Sequence, residues 1–204
     1  APVSTNTAGT FQLDSGSKIV SAARGKDYIF IVTDTSAYIM QFVGPPFTFS
    51  IRQVGSNCGA MSQHSLVHVD GIMYWMGKSG GFYAYDGGSV KKITCSVEDF
   101  VFTTQTSDDL GFNFGQSEQV FAGYNTLFTE INWFYCKDGS TQIDRCVTLN
   151  YREGLWTTSS LARSTWSDSH IFGKPHATEY DSSASSDSTV GNTDGVTTYY
   201  EHET

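Results

Sequence analysis

Short runs of β-branched and aromatic residues, each closed by glycine, proline or aspartate, recur along this chain. The first, Tyr28-Ile29-Phe30-Ile31-Val32-Thr33, stops at Asp34-Thr35. It resumes as Ala37-Tyr38-Ile39-Met40-Gln41-Phe42-Val43 before Gly44-Pro45-Pro46, which predicts a hairpin and then a hard stop. Phe47-Thr48-Phe49-Ser50-Ile51 alternates apolar and polar positions, as a strand with two unlike faces does. Ser65-Leu66-Val67-His68-Val69 closes on Asp70-Gly71, a pair suited to the positive φ angles of a tight hairpin, and Ile72-Met73-Tyr74-Trp75-Met76 follows. Gly80-Gly81 then leads to Phe82-Tyr83-Ala84-Tyr85, and Asp86-Gly87-Gly88 to Ser89-Val90-Lys91-Lys92-Ile93. Three short strands joined by two glycine turns predict an antiparallel meander.

The same grammar returns downstream. Glu130-Ile131-Asn132-Trp133-Phe134-Tyr135-Cys136 precedes Asp138-Gly139, and Arg145-Cys146-Val147-Thr148-Leu149-Asn150-Tyr151 precedes Glu153-Gly154. Leu155-Trp156-Thr157-Thr158 and, after Asp194-Gly195, Val196-Thr197-Thr198-Tyr199-Tyr200 complete the series. With Tyr28, Tyr74, Phe134 and Tyr199 as equivalent positions, the spacing is roughly 45 to 65 residues, the range of propeller blades with insertions. The expected fold is all-β, built of antiparallel meanders and β-propeller-like, with about three blades and therefore a partial propeller. Residues 1–26 read as an N-terminal segment or linker and 27–204 as the propeller-like region. Two stretches interrupt it: 97–119 lacks a clean period and suits a short helix or a crossing between blades, and 181–194 is serine-rich and polar, an exposed loop that a partner would order.

Composition sharpens this picture. Aromatic residues reach 14% and charged residues only 16%, with 20 glycines, a mix suited to packed strands and tight turns. Twelve basic against twenty-one acidic residues give a formal charge of -9, which disfavours a surface that grips nucleic-acid phosphates. No apolar run approaches the roughly 18 residues of a membrane-spanning helix. The chain opens on Ala1 without an initiator methionine and stops just past a strand-like run, so a fragment of a longer protein is expected.

Candidate chemistry changes the picture little. Cys58, Cys95, Cys136 and Cys146 lack the CxxC spacing of zinc or redox sites and read as buried thiols. Cys136 and Cys146 flank a turn and lie within reach of each other across a hairpin, a pair that an oxidising compartment would link and the cytoplasm would leave reduced. His64 and His68 have the spacing of helical zinc ligands but fall on a strand. Asp70, Asp86, Asp138 and Asp194 each precede glycine, where turn geometry accounts for both residues. Asn192-Thr193-Asp194-Gly195 is a loose echo of a calcium loop without its terminal Glu, and Gly77-Lys78-Ser79-Gly80-Gly81 misses the spacing of a nucleophile elbow. Glu98, Glu118, Glu130, Glu153 and Glu179 offer carboxylates that the sequence does not pair. Trp75, Trp133 and Trp156 read as core anchors and Trp166 as the exposed one. No catalytic, cofactor-binding or metal-ligating residue is assigned, and no cofactor is expected.

Several of these runs resemble one family. Ile31 through Gly44, Tyr74-Trp75-Met76-Gly77 with Phe82-Tyr83-Ala84-Tyr85-Asp86-Gly87, Glu130 through Tyr135, Arg145 through Trp156 and Tyr199 through Glu203 resemble the β-propeller tail nozzle or stabilisation (tail tubular) proteins of short-tailed bacteriophages. The resemblance implies a fragment of a virion structural protein, not an enzyme, assembled in the bacterial host cytoplasm. Its partners would be neighbouring tail and adaptor subunits in a homo-oligomeric ring, with tail fibres as a further candidate, around a conduit and attachment platform for the genome. This chain departs from the family in its shortness, lacking the blades that would close a ring. Two other readings stand beside it: a carbohydrate-binding β module built on the aromatic side chains, and a sialidase-like glycosidase. The latter rests on Asp138-Gly139-Ser140-Thr141, which resembles part of an Asp-box but continues with Gln142, and only Arg24, Arg52, Arg145, Arg152 and Arg163 are available to line its cleft.

Overall fold

Val69 and Ile72 face each other across Asp70 and Gly71, which have φ angles of 49° and 84°. Positive φ at both central positions is the two-residue hairpin geometry that matches strand twist, and Asp-Gly is among the few pairs that adopt it readily. The computed structural model, which describes residues 9–103, 111–168, 174–181 and 196–201, arranges fifteen strands in four antiparallel sheets. The described chain is all-β apart from a short helix, α1 (Glu98–Phe102), and a 3-10 segment at Phe114–Gln119. It divides into two compact units, 1–95 and 96–204.

The first unit holds two four-stranded meanders. One runs β1 (Ile19–Arg24), β2 (Ile29–Thr33), β3 (Ser36–Gly44) and β4 (Thr48–Ser56), each strand pairing with the next. The other runs β5 (Leu66–Val69), β6 (Ile72–Met76), β7 (Phe82–Tyr85) and β8 (Val90–Ile93) in the same sequential order. Strand alternation puts Phe30, Val32, Ala37 and Ile39 on one face of the first sheet and Met73, Trp75 and Tyr85 on one face of the second, and these faces form a shared core. The Phe30 ring lies 5.0 Å from that of Tyr85, stacked, and 5.3 Å from that of Trp75.

β1 corrects the reading of residues 1–26 as a linker. Ala22 pairs with Ile31 and Arg24 with Ile29, yet Ser21 is the only buried residue of the strand. An edge strand held by its backbone ladder carries little of the apolar pattern by which buried strands are recognised. The preceding segment is fastened too: Tyr38 Oη donates to the Ser15 carbonyl at 3.1 Å and accepts from the Ser15 amide at 2.9 Å.

Asp34, in the β2–β3 turn, accepts hydrogen bonds from the Ser17 hydroxyl and, at 2.8 Å, the Ser17 amide. These bonds, the hydroxyl's first, hold its carboxyl down to about 2. A carboxylate with a depressed folded-state pKa stabilises above its unfolded value of about 3.9 and loses that contribution as pH falls through the folded value. Solvent exposure of this side chain makes the effect local. Proteolysis around residues 15–18 is therefore expected to rise between pH 4 and 2, with Asp34→Asn showing the same susceptibility at neutral pH; an unchanged cleavage rate in that variant would refute the tether.

The second unit contains β9 (Phe121–Asn125), β10 (Glu130–Tyr135), β11 (Arg145–Asn150) and β12 (Leu155–Ser159), again in sequential order. Trp133 and Trp156 stack at 6.0 Å on one face of this sheet, while Phe121 and Phe134 stack at 4.8 Å on the other. A three-stranded sheet follows: β13 (Thr165–Ser167), β14 (His176–Asp181) and β15 (Val196–Glu201). Three complete four-stranded meanders and one shorter sheet, with no closed barrel among the described residues, agree with a partial propeller-like fold. The interruption at 97–119 contains α1 and the 3-10 turn, and Phe112 bridges to Lys137. Beyond Asp181, the polar stretch read as an exposed loop lies outside the described residues, as do Asn192 to Asp194 and residues 1–8.

Candidate interaction surfaces

The residues singled out for chemistry are dispersed. His64 and His68 are exposed near and on β5, and no group of three or more His, Cys, Asp or Glu side chains is placed to hold a metal among the described residues. Glu98 sits in the first turn of α1, Glu118 in the 3-10 turn, Glu130 at the start of β10, Glu153 in the β11–β12 turn and Glu179 on β14. Glu179 is committed to the buried Arg163, whose Nη1 donates to it at 2.9 Å. Burial raises the Glu130 carboxyl above its ordinary range. The partial Asp-box is a local turn: the Gly139 amide donates to Asp138 at 3.0 Å and the Ser140 hydroxyl to the Gln142 carbonyl at 2.7 Å.

All four cysteines are free thiols. Cys146 stands opposite Phe134, so Cys136, one residue past the end of β10, is not directly across from it. Burial pushes the thiols up to about 11 for Cys58 and Cys136 and about 12 for Cys146. A thiol kept protonated is a poor nucleophile and a poor metal ligand.

Trp75, Trp133 and Trp156 are buried, as expected of core anchors. Trp166 is not the exposed ring that its polar neighbours suggest. Its Nε1 donates to the Tyr124 carbonyl at 2.9 Å, its ring lies 5.7 Å from Phe134, and it covers Gly123 so closely that a Cβ there would approach its Cδ1 to 2.5 Å. The face of Trp166 that packs on Gly123 and Phe134 is thus taken up by the protein itself.

The surface features that sequence reasoning missed are apolar and charged. β3 and β4 outrun their sheet: β2 begins at Ile29, opposite Met40, so residues beyond Met40 pair only with β4. This two-stranded ribbon ends in Phe42, Val43, Phe47 and Phe49, all exposed, with Phe42 at 65% and Phe47 at 76%. Phe42 and Phe49 are cross-strand partners with rings 5.7 Å apart. At the ribbon's base they line a groove of about 410 Å³ together with Arg24, Lys26 and Asp27. In the second unit, the β9–β10 and β11–β12 turns expose Leu127, Phe128 and Leu155 beside Glu130 and Glu153.

Charge divides between the units. Residues 1–95 carry seven Lys and Arg against five Asp, a net +2, while residues 96–204 carry five against sixteen Asp and Glu, a net -11. The total of -9 conceals this polarity.

A scan against protein-family models finds no match, and a search of curated proteins likewise finds none.

Proposed function

We propose that the chain is a structural component of a virion, part of the tail nozzle or connector of a short-tailed bacteriophage. The observation that carries the proposal is the repeated sequential meander: aromatic strands joined by Asp-Gly turns, at Asp70-Gly71 and Asp138-Gly139 above all, in the runs whose sequence resembles that family. Propeller-like sheets provide a rigid frame whose turns are free to contact neighbours. The apolar ribbon tip and the opposed charges of the two units suit a subunit that assembles with neighbours.

In this reading the chain contributes to a ring around the genome conduit, and its acidic unit keeps passing DNA from adhering, because phosphate repulsion removes the counterion-release term that drives retention. The decisive observation is genomic: the longer open reading frame should lie among portal and terminase genes, and a position among polysaccharide-degrading enzymes would overturn the proposal. The conduit role has its own test. Duplex DNA should not be retained by the chain at 0.15 M salt and protein concentrations up to roughly 0.1 mM, where ordinary non-specific binders already hold it; tight binding would rule that role out.

A further inference from the structure

We propose that the ribbon tip at Phe42–Phe49 docks onto the turn end of the β9–β12 sheet in a second copy of this chain, Leu127, Phe128 and Leu155 receiving it. The inference rests on the ring-forming part of the reading above and names its contact.

The two surfaces match in character and oppose in charge. The tip is a cluster of three phenylalanines and a valine on a two-stranded ribbon that has no third strand to support it. Such ribbons are marginal alone, so an exposed apolar tip is costly unless something covers it. Arg24 and Lys26 share the groove with Phe42 and Phe49, against the single carboxylate of Asp27, and the unit as a whole is positive.

The receiving end is built by register. Glu130 faces Asn125 on one side and Asn150 on the other, and Asn150 faces Leu155, so both turns emerge together. Asn150 Nδ2 donates to the Phe128 carbonyl at 3.2 Å and the Tyr151 amide to the Thr129 carbonyl at 3.0 Å, which fixes the two turns to each other. Asp168 accepts from the Thr126 amide and hydroxyl at 3.2 and 2.9 Å, adding a third acid to Glu130 and Glu153. Arg152 is the one cation in these turns.

Three partly exposed aromatic rings and a valine present roughly 400–500 Å² at the tip, at about 150–250 Å² for a whole aromatic side chain. The receiving side chains contribute about 300 Å² more, and the charged flanks bring the contact toward the roughly 1,000 Å² of a specific interface. The tip carries no charge of its own, but the groove at its base is net positive through Arg24 and Lys26 against Asp27, which favours an acidic receiving end over a second tip, and a chain of net charge -9 is repelled by anionic lipid. Because tip and receiving end are different surfaces, the contact is heterologous and propagates into a ring or an open filament.

Sedimentation velocity on the 204-residue chain tests this. Concentration-dependent oligomers are expected, with an apparent dissociation constant at least tenfold weaker in 0.5 M than in 0.05 M salt. Phe47→Ser and Leu155→Ser alter exposed side chains, so each should keep the wild-type circular dichroism spectrum and sediment as a monomer. Mixed together they should form a dimer and nothing larger, since one intact tip and one intact receiving end remain. An oligomer indifferent to both substitutions, or no dimer in the mixture, overturns this contact and leaves the ring reading standing. A wild-type chain monomeric at every concentration overturns contact and ring together, with the virion reading still decided by the flanking genes. Vesicles of neutral or anionic lipid that bind the wild type but not Phe47→Ser would assign the tip to a membrane and overturn the proposal.

Discussion

Trp75→Ala is expected to destabilise the first unit by about 3–5 kcal/mol, the range of buried aromatic truncations. The side chain is fully buried, stacks on Tyr83 at 5.7 Å and meets Phe30 at 5.3 Å. Truncation removes this contact between the two sheets and leaves a void where indole stood, which a closely packed interior refills only in part. It also orphans the Cys58 carbonyl, to which Trp75 Nε1 donates at 2.7 Å. A unit of this size has a total stability on the order of 5–15 kcal/mol, so the variant should stand near its unfolding threshold. Hydrogen exchange read peptide by peptide should show protection lost in β2, β3, β6 and β7. Trp75→Phe keeps most of the ring and forfeits the hydrogen bond, so its cost should be clearly smaller. Equal costs for the two variants would mean that the bond, not the packing, sustains the site.

Trp75 was legible as a core residue because it sits among Tyr74, Met73 and Met76 in a run closed by Asp70-Gly71 on one side and Gly80-Gly81 on the other. Wherever strand and turn chemistry are both local in this way, the element is readable, and β2, β3, β6, β7 and β10–β12 follow the sequence closely. β9 has no strand signal of its own: Phe121-Ala122-Gly123-Tyr124-Asn125 holds a central glycine and no β-branched residue. Its glycine is there to seat Trp166, which lies 43 positions downstream and has no local signal of its own. That same distance hid the partial burial of Trp166, since its flanking Ser164, Thr165, Ser167 and Asp168 are all polar. The ribbon tip misled in the opposite sense. Phe42, Phe47 and Phe49 have the pattern of core strand residues, and only the early end of β2 at Ile29 exposes them. Charge polarity was present in the residue order but invisible until the chain divided at Cys95 and Ser96.

Gly59→Ala is expected to cost roughly 2–4 kcal/mol, more than Gly71→Ala, although it is Gly71 that has the unusual backbone. Gly71 has φ of 84°, and a Cβ there would meet nothing within 4 Å, so alanine incurs only the left-handed penalty of roughly 1–2 kcal/mol. At Gly59 the obstacle is another segment of chain. A Cβ there would stand 2.1 Å from the Asp34 carbonyl oxygen and 2.5 Å from the Thr35 amide nitrogen. Both are backbone atoms in the β2–β3 turn, and no rotamer change relieves the overlap. The segment around Gly59 connects the two sheets of the unit: Cys58 donates to the Thr35 carbonyl at 2.9 Å and Ala60 to that of Thr33 at 3.1 Å. On the other side Met61 donates to Met76, and Lys78 to Gly59 itself, both at 2.9 Å. Moving the segment away from Asp34 breaks the first two bonds, each worth about 1 kcal/mol, and draws Cys58 and Ala60 out of the core shared by the sheets. Denaturant titration followed by the exchange of the Cys58 and Ala60 amides should rank the variants with Gly59→Ala the more damaging. The reverse order would mean that the β2–β3 turn yields to the intruding methyl and that the two sheets are joined less rigidly than these bonds imply.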